Sequence, residues 1–192
     1  MNAIPLPKLA PPGAGLPAVE LFFARLIFGW KRLRGTRASF TAAFTQARDT
    51  ISSLIAPLSA EAAALPVLIP RLRGMEDSSR HWSVWMTLDH LRITNLGFAS
   101  VIPSLAQGRV PERVASTAAV KPSPTVDASV VAAFQQSCDL FLKNSAEVAD
   151  LRTTARYTHP WFGPLDAFGW HAIGGFHMNL HRKQIERIIA GL

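Results

Sequence analysis

Apolar residues recur at steps of three and four positions in four separate segments, which is the spacing of one face of an α-helix. The segments are residues 37–58, residues 83–102, a third that starts near Asp127 and reaches Val148, and residues 166–189. The stripe of the first segment consists of Phe40, Phe44, Ala47, Ile51, Leu54 and Leu58. No segment alternates apolar and polar residues as a half-buried strand does. The pattern predicts an all-α protein, with four long helices over residues 36–190 and no sheet.

The signals between these segments predict how the helices are connected. Ser83 is a candidate N-cap for the second helix, and Pro103 is expected to end it. The connection over residues 103–126 is long enough to cross a bundle, so the third helix can start from the opposite end. We therefore predict an up-down-down-up four-helix bundle in which the second and fourth helices share an interior.

The first 35 residues differ from the rest of the chain. Residues 1–17 are rich in Pro, Gly and Ala, which predicts an extended arm. Residues 18–34 predict a short helix whose apolar residues lie on nearly every side, so we expect Phe22, Leu26 and Trp30 to be buried on the bundle or against a second copy. The alternative for this helix is a membrane-surface or homodimer element. The chain thus divides into residues 1–35 and a bundle of residues 36–192.

Composition narrows the class of protein. Hydrophobic residues make up 48% of the chain and charged residues 17%, which suits one sizeable core. The only cysteine, Cys138, excludes an intramolecular disulfide and a Cys-rich zinc site, and this fits a cytoplasmic protein. The net charge of +7 is dispersed except in KRLRGTR (residues 31–37), and no uninterrupted apolar span could cross a bilayer. We therefore expect neither nucleic acid nor a membrane as the partner.

Three histidines occupy positions where an amphipathic helix would carry apolar residues. His177 and His181 are one turn apart in the last helix, on the face of Ile173 and Ile188, and His90 interrupts an apolar stripe of the second helix. A buried imidazole without a partner is costly, and a divalent ion would satisfy one nitrogen of each ring. His90, His177 and His181 are therefore the predicted ligands of a divalent metal, with a coordination position left open. Imidazole suits zinc, nickel, copper and iron alike, and zinc or nickel is the first expectation.

Other candidate residues are weaker. Thr94 and Gln184 follow the histidines by about one turn and are expected near the pocket, and Asp89 is the only nearby carboxylate for hydrolysis. Cys138 lies on an apolar stripe and is interpreted as a core residue. Met178 stands where a zincin would carry its glutamate, which argues against that class of metalloprotease. Three other histidines do not share the inward stripe: His81, His159 and His171. His159 is interpreted as a loop residue, and the neighbouring Trp161 and Phe162 are expected to plug the bundle end.

Two stretches resemble a known family. RHWSVWMTLDHL (residues 80–91) resembles the second-helix signature of the DinB-like superfamily, and HPWFGPLDAFGWHAIGGFHMNLHRKQIERI (residues 159–188) resembles its closing signature. The HPWFG form is similar to an uncharacterised branch, the DUF1569 family. The resemblance covers roughly residues 36–190, and it implies an up-down-down-up bundle with a metal site at His90, His177 and His181.

The resemblance also implies candidate functions. The superfamily includes enzymes that use a low-molecular-weight thiol, such as isomerases and S-transferases dependent on mycothiol or bacillithiol, and members with no assigned activity. The leading hypothesis is a metal- and thiol-dependent transferase or isomerase that acts on a small molecule. One alternative is a non-catalytic stress or binding protein in which the metal is structural or absent. Another is a protein that binds an anionic surface through the short helix and the KRLRGTR segment.

Overall fold

The computed structural model describes residues 8–192, so residues 1–7 of the expected arm lie outside the described residues. Residues 8–17 form no helix or strand, as expected. The helices are α1 (Ala18–Arg34), α2 (Arg37–Ile55), α3 (Ala60–Ala64), α4 (Val84–Ala106), α5 (Val130–Glu147) and α6 (Ala167–Ile189). The strands are β1 (Val67–Leu68), β2 (His81–Trp82), β3 (Tyr157–His159) and β4 (Gly163–Leu165).

Polar side chains set the starts of three of the long helices. Thr36 caps α2 in a reciprocal capping box with Ser39. Ser83 caps α4 by accepting a hydrogen bond from the Met86 N–H, as the sequence predicted. Asp166 caps α6 by accepting from the Gly169 N–H at 2.8 Å. Each cap satisfies a backbone donor that the first turn of a helix leaves free.

The directions of the four long helices follow from which residues meet. In α4 and α6, His90 meets His181 and Phe98 meets Trp170, so these two helices are antiparallel. In α4 and α5, Asn95 contacts Ser137 and the Ala99 carbonyl accepts from Asn144, so this pair is parallel. Helices α2 and α6 are also parallel, because Arg37 of α2 meets His171 of α6 and Phe40 meets Gly175, in the same order along both helices. The predicted up-down-down-up order is confirmed.

The core is closed by aromatic stacking and by a pair of glycines. Phe44 of α2 stacks on Phe141 of α5 with ring centroids 4.3 Å apart. A Cβ atom at Gly174 would lie 2.6 Å from the Phe141 ring, and one at Gly175 would lie 3.2 Å from the Phe40 carbonyl oxygen. Gly174 therefore leaves room for the Phe141 ring, and Gly175 allows α6 to approach the backbone of α2 closely.

Helix α4 does not end at Pro103, as the sequence had suggested, but continues to Ala106. A proline inside a helix removes the N–H that would bond the carbonyl four residues earlier, here that of Ala99. The Asn144 side chain of α5 donates to this carbonyl oxygen at 2.9 Å. The neighbouring helix thus replaces the missing donor, and α4 gains another turn.

Other boundaries also differ from the prediction. Helix α2 ends at Ile55 rather than near Leu58, and the short helix α3 follows it. Helix α5 begins at Val130 rather than Asp127, because the Asp127 carboxylate accepts hydrogen bonds from Ser129 and stabilises a turn there.

The expectation of no sheet was wrong in detail. Strands β1 and β2 pair antiparallel, as do β3 and β4, and each ladder has two short strands. The second ladder is a hairpin whose return strand starts at Gly163, which has a φ of +71°. Such short ladders give no alternation long enough to recognise in the sequence, and both join segments outside the four long helices.

The expected burial of α1 on the bundle was wrong for the three residues named. Phe22, Leu26 and Trp30 are each more than half exposed in the single chain, and only Phe28 of this helix is buried. Phe28 packs on Phe162 with ring centroids 4.5 Å apart. Periodicity could not identify the inward side, because apolar residues occur all round the helix. None of the helices within residues 8–192 is long and apolar enough to cross a membrane.

Candidate metal centre

The structure brings His90, His177 and His181 together between α4 and α6. One ring nitrogen from each can be chosen so that all three atoms lie within 4.8 Å of one another. The ring centroids are 4.5 Å apart for His177 and His181, 4.5 Å for His90 and His181, and 4.9 Å for His90 and His177. Because α4 and α6 are antiparallel, one residue of α4 meets two residues one turn apart in α6.

Hydrogen bonds fix the orientation of two of these rings. The Nδ1–H of His90 donates to the Val120 carbonyl oxygen at 2.6 Å. The Nδ1–H of His181 donates to Oε1 of Gln184 at 2.6 Å, and the Gln184 amide group donates in turn to the Ser79 carbonyl oxygen at 2.7 Å. Since a carbonyl oxygen can only accept, both rings carry their proton on Nδ1 and leave Nε2 with a free lone pair.

Thr94 lies behind the third ring. The Thr94 hydroxyl lies 3.0 Å from the carbonyl oxygens of His90 and Leu91, which use its hydrogen. Its oxygen is therefore free to accept from the Nδ1–H of His177, 3.4 Å away. The two polar residues expected near the pocket, Thr94 and Gln184, thus lie behind the histidine rings and orient them.

Burial keeps the three imidazoles neutral. Desolvation is the main reason that the pKa of His90 is lowered to about 4. The hydrogen bond to the Val120 carbonyl raises this pKa, and the Lys121 charge lowers it further. Burial also lowers the pKa of His177 and of His181 well below the ordinary histidine value, and the neighbouring imidazoles lower both further. Neutral imidazole is the form that coordinates a metal, so the site is in its ligating state at neutral pH.

The donor set fits a divalent ion. The Nε2 atoms of His90 and His177 are 3.1 Å apart, and each carries a lone pair if Nδ1 holds the proton. Two lone pairs at this distance repel each other unless a cation or a proton lies between them. Two imidazole nitrogens on a tetrahedral zinc ion are roughly 3.3 Å apart, given Zn–N bonds of about 2.0–2.1 Å. The observed spacing is close to that value.

The histidines lie at the wall of a chamber of about 370 Å³. Helices α4 and α6, the connection between α4 and α5, and the β3–β4 hairpin enclose it. Its wall is largely apolar and includes Met75, Ile93, Phe98, Val101, Trp161 and Trp170. This volume suits a small molecule, and the few polar groups would set its orientation.

The apolar stripe predicted around His90 faces this chamber rather than the packed core. Ile93, Gly97 and Val101 of that stripe line the chamber. The fully buried face of α4 carries a different set of residues, which includes Leu88, Leu91, Asn95, Ala99 and Ile102. One face of α4 thus packs in the core, and the adjacent face lines the chamber.

His159 is a residue of the chamber that the sequence interpretation missed. It ends β3, lines the chamber and is surrounded by the rings of Trp161, Phe162 and Trp170. Its Nδ1 accepts from the Trp161 N–H at 3.1 Å, so its proton is on Nε2. Burial lowers its pKa to about 4, and it is therefore a neutral hydrogen-bond donor at pH 7. The HPWFG sequence that carries it was the available signal, but a short hairpin gives no periodicity to place the ring.

The expected plug at the bundle end is also redefined. Trp161 is part of the chamber wall, and Phe162 packs between Phe28 and His159. Phe162 therefore joins α1 to the chamber, because it contacts Phe28 of α1 on one side and His159 on the other.

A buried ion pair anchors the connection that covers the site. The Lys121 ammonium group donates to Glu76 at 3.0 Å, to Ser78 at 2.9 Å and to Ser79 at 3.1 Å. Burial raises the pKa of Glu76, but hydrogen bonds from Thr117, Lys121 and the Gly13 N–H outweigh it and hold the pKa below the usual range. The anchor fixes the segment next to Val120, whose carbonyl orients His90.

The remaining candidates lie outside the cluster. Asp89 pairs with Arg92 at 2.8 Å and accepts from the Ser123 N–H, and it does not line the chamber, so it is not positioned as a base for hydrolysis. Cys138 is buried, and burial raises its pKa to about 12, which agrees with its interpretation as a core residue. His171 is buried against Phe141 and Thr41, away from the cluster, and His81 lies in β2.

Comparison with known proteins identifies a family and a solved structure that resemble this chain. A family described as the DinB superfamily matches residues 43–185, which include all three histidines. The crystal structure of TT2238, a four-helix bundle protein, is similar with a TM-score of 0.59 and 18% sequence identity, over 79% of this chain and 98% of that one. At that identity the likeness shows the fold alone. No curated protein sequence matches the chain.

Proposed function

The chain belongs to the DinB superfamily, and from this premise we propose that it binds one divalent metal ion, zinc or nickel, through Nε2 of His90, His177 and His181. Imidazole nitrogen is a good donor for both metals. Three protein donors leave a coordination position on the side of the chamber, which is the arrangement of a catalytic or ligand-binding site. The finer assignment to the DUF1569 branch stays a prediction.

One observation carries this proposal. The Nε2 atoms of His90 and His177 are 3.1 Å apart, the Val120 carbonyl holds the His90 proton on Nδ1, and the Thr94 oxygen can accept from Nδ1–H of His177. With both protons on Nδ1, two lone pairs face each other at this point and repel. A cation at this point relieves the repulsion between the lone pairs and compensates for the burial of all three rings.

We propose that the reaction class is a metal- and thiol-dependent transfer or isomerisation of a small molecule. A divalent ion at this site would lower the pKa of a bound low-molecular-weight thiol and so supply a nucleophile. The apolar wall would bind the carbon skeleton of the substrate and exclude water. The Nε2–H of His159 would donate a hydrogen bond to an oxygen of that substrate.

The alternative is a non-catalytic stress or binding protein in which the metal is structural or absent. The apolar residues of the core favour the first proposal, because they pack the four helices without help from the ion. If the metal only braced α4 against α6, metal-free protein would lose its tertiary structure. If it served a ligand, metal-free protein would stay folded and lose only the ligand.

The metal is tested by analysing protein purified without a His-tag or a chelating column. We expect about one equivalent of bound metal, or uptake of one equivalent of zinc or nickel in calorimetric titration. The substitutions His90→Ala, His177→Ala and His181→Ala should each abolish tight binding, and His81→Gln is the matched control outside the cluster. Full occupancy in the three alanine variants would refute the site.

The thiol is tested by spectroscopy. Protein loaded with Co²⁺ should show visible bands of a low-coordinate site, and added low-molecular-weight thiol should produce a near-ultraviolet charge-transfer band from thiolate to metal. Metal binding without any spectral response to a series of thiols would favour the binding-protein alternative.

A further inference from the structure

Helix α1 presents its apolar side to the outside. The side chains that point away from the bundle are between 53% and 81% exposed, and they are Val19, Phe22, Phe23, Leu26, Ile27, Trp30 and Leu33. Their spacing of three and four residues places them on one continuous face of the helix. Isolated apolar residues are common on protein surfaces, but a contiguous face of this kind marks an interaction site.

Polar contacts fix α1 in this orientation. Glu20 accepts hydrogen bonds from the Arg71 guanidinium and the Gly74 N–H, and Arg71 is the main cause of the lowered pKa of Glu20. Arg25 donates to the Trp161 carbonyl oxygen at 2.6 Å, and Arg32 pairs with Asp166 at 2.8 Å. These contacts lie along the inner side of the helix from its first turn to its last, so the outward direction of the apolar face is a feature of the fold.

A cationic groove of about 760 Å³ borders this face, between α1, α2 and α6. Its five basic residues are Lys31, Arg34, Arg73, Arg182 and Lys183, and its lining contains no Asp or Glu. Within residues 8–192, Arg182 is the one member of this set that pairs with a carboxylate, that of Glu186. Trp30 belongs to both surfaces, because it lies on the apolar face and also lines the groove. The two surfaces therefore form one continuous region.

We propose that this region docks on the surface of an anionic lipid bilayer. Helix α1 would lie parallel to the membrane plane, with its apolar face among the upper acyl chains and the groove cations on lipid phosphates. A helix with one apolar face, an interfacial tryptophan and adjacent basic residues is typical of such binding. Basic residues next to an anionic membrane are attracted by its surface potential, so the five groove cations add to the apolar contribution.

Charge distinguishes this partner from a second copy of the chain. In a symmetric dimer the same region meets itself, which brings the uncompensated cations of both copies, each of net charge +7, to one interface. The groove lining has no carboxylate to offset them. An anionic bilayer supplies both the apolar layer and the counter-charge. The expectation against a membrane partner rests on dispersed charge and on the lack of a membrane-spanning segment, and neither bears on a helix that lies on the bilayer surface.

The test is co-sedimentation of the full chain with vesicles. We expect binding to vesicles that contain phosphatidylglycerol, little binding to pure phosphatidylcholine, and weakening as salt concentration rises. The double variant Phe22→Glu/Leu26→Glu should weaken binding at least tenfold, and Arg73→Glu/Lys183→Glu should remove the preference for anionic lipid. Leu140→Glu and Lys143→Glu are the matched controls, since both residues are exposed on α5.

Three results would overturn the proposal. The first is no binding to either kind of vesicle. The second is equal binding to neutral and anionic vesicles, which would exclude a role for the groove. The third is a dimer in light scattering that Phe22→Glu/Leu26→Glu converts to a monomer while vesicle binding is unchanged, which would assign the apolar face to a second copy. None of these results depends on the metal, so they leave the proposed function to its own tests.

Discussion

Each of the three clustered histidines is oriented by one partner behind its ring. Val120 offers a backbone carbonyl and Gln184 a side-chain amide oxygen, and both accept from Nδ1–H, while the Thr94 hydroxyl lies 3.4 Å from Nδ1 of His177 and can accept there. Groups in this position fix the tautomer of a ligating histidine and its direction, and their loss usually costs metal affinity. The partners are therefore as testable as the histidines themselves.

Gln184→Leu should weaken metal binding by roughly 10- to 100-fold without removing a ligand. The substitution keeps similar volume but takes away the acceptor for His181 and the donor to the Ser79 carbonyl. Affinity is measured by competition with a chromogenic chelator, and helicity by circular dichroism. Gln46→Leu, at an exposed position of α2, is the control. Unchanged affinity in Gln184→Leu would mean that this hydrogen bond does not orient His181.

His159, which is half-buried, should make stability depend on pH in a defined window. Above pH 6.5 its imidazole is neutral in both the folded and the unfolded chain, and between pH 6.5 and about 4 only the unfolded chain binds the proton. The free energy of unfolding should therefore fall as the pH falls through this window, by about 1.4 kcal/mol per pH unit for this one group.

Urea denaturation of metal-free protein at several pH values measures this slope. In His159→Asn the amide oxygen can still accept from the Trp161 N–H, but no proton binds, so the variant should show a smaller slope than the parent. His90 is present in both proteins, so its own titration cancels in the comparison. Identical slopes would show that His159 does not titrate with a lowered pKa.

At the scale of elements, α4 depends on α5 to pass through a proline. The Ala99 carbonyl is buried and would lack a donor without Asn144, since Pro103 has no N–H. Asn144→Ala should therefore lower the free energy of unfolding by about 1–3 kcal/mol. In a Pro103→Ala background the restored N–H can bond Ala99, so the same substitution should cost less. A double-mutant cycle of urea denaturation measures the difference, and equal costs in both backgrounds would contradict the explanation.

This proline also shows where sequence reasoning stops. The rule that proline ends a helix is local. The donor that lets α4 continue is the Asn144 side chain, which is 45 positions along the chain from the Ala99 carbonyl that it satisfies. The four long helices and the pairing of His177 with His181 were predictable, because helical spacing alone relates their positions. The outward face of α1 was not, because a helix with apolar residues all round gives no sign of which side packs.

The same distinction applies to the metal centre. His90 could be grouped with the α6 pair because it interrupts an apolar stripe, although that stripe faces the chamber rather than the core. The Val120 carbonyl could not be found, because any residue type supplies a backbone oxygen and the segment around it has no period. His159 was missed for a related reason, since its role depends on a hairpin of only a few residues.

For the whole molecule, the arrangement of the helices separates folding from the proposed metal binding. The core is apolar and extends through all four long helices, whereas the histidine cluster joins only α4 and α6. Removing the metal should therefore leave the far-ultraviolet circular dichroism spectrum nearly unchanged. At a free metal concentration 100 times the Kd, linkage predicts about 2.7 kcal/mol of stabilisation, or a Tm higher by roughly 5–10 °C for a chain of this size.

Thermal denaturation with chelator and with added metal measures this shift. His177→Ala should melt at the same temperature in both conditions, because it lacks a ligand. Loss of helicity on chelation would instead assign the metal a structural role. A metal-dependent shift that persists in His177→Ala would indicate a different binding site.

The connection between α4 and α5 has two roles, and protein engineering of this segment would change both of them together. Its residues from Arg113 to Lys121 form part of the chamber wall, and one of them, Val120, aims a proposed ligand through its carbonyl. Insertions or exchanges that reshape the wall for another molecule will therefore also turn the imidazole of His90. Directed evolution of this segment should recover altered selectivity together with altered metal retention, and libraries that hold residues 118–121 constant should separate the two traits.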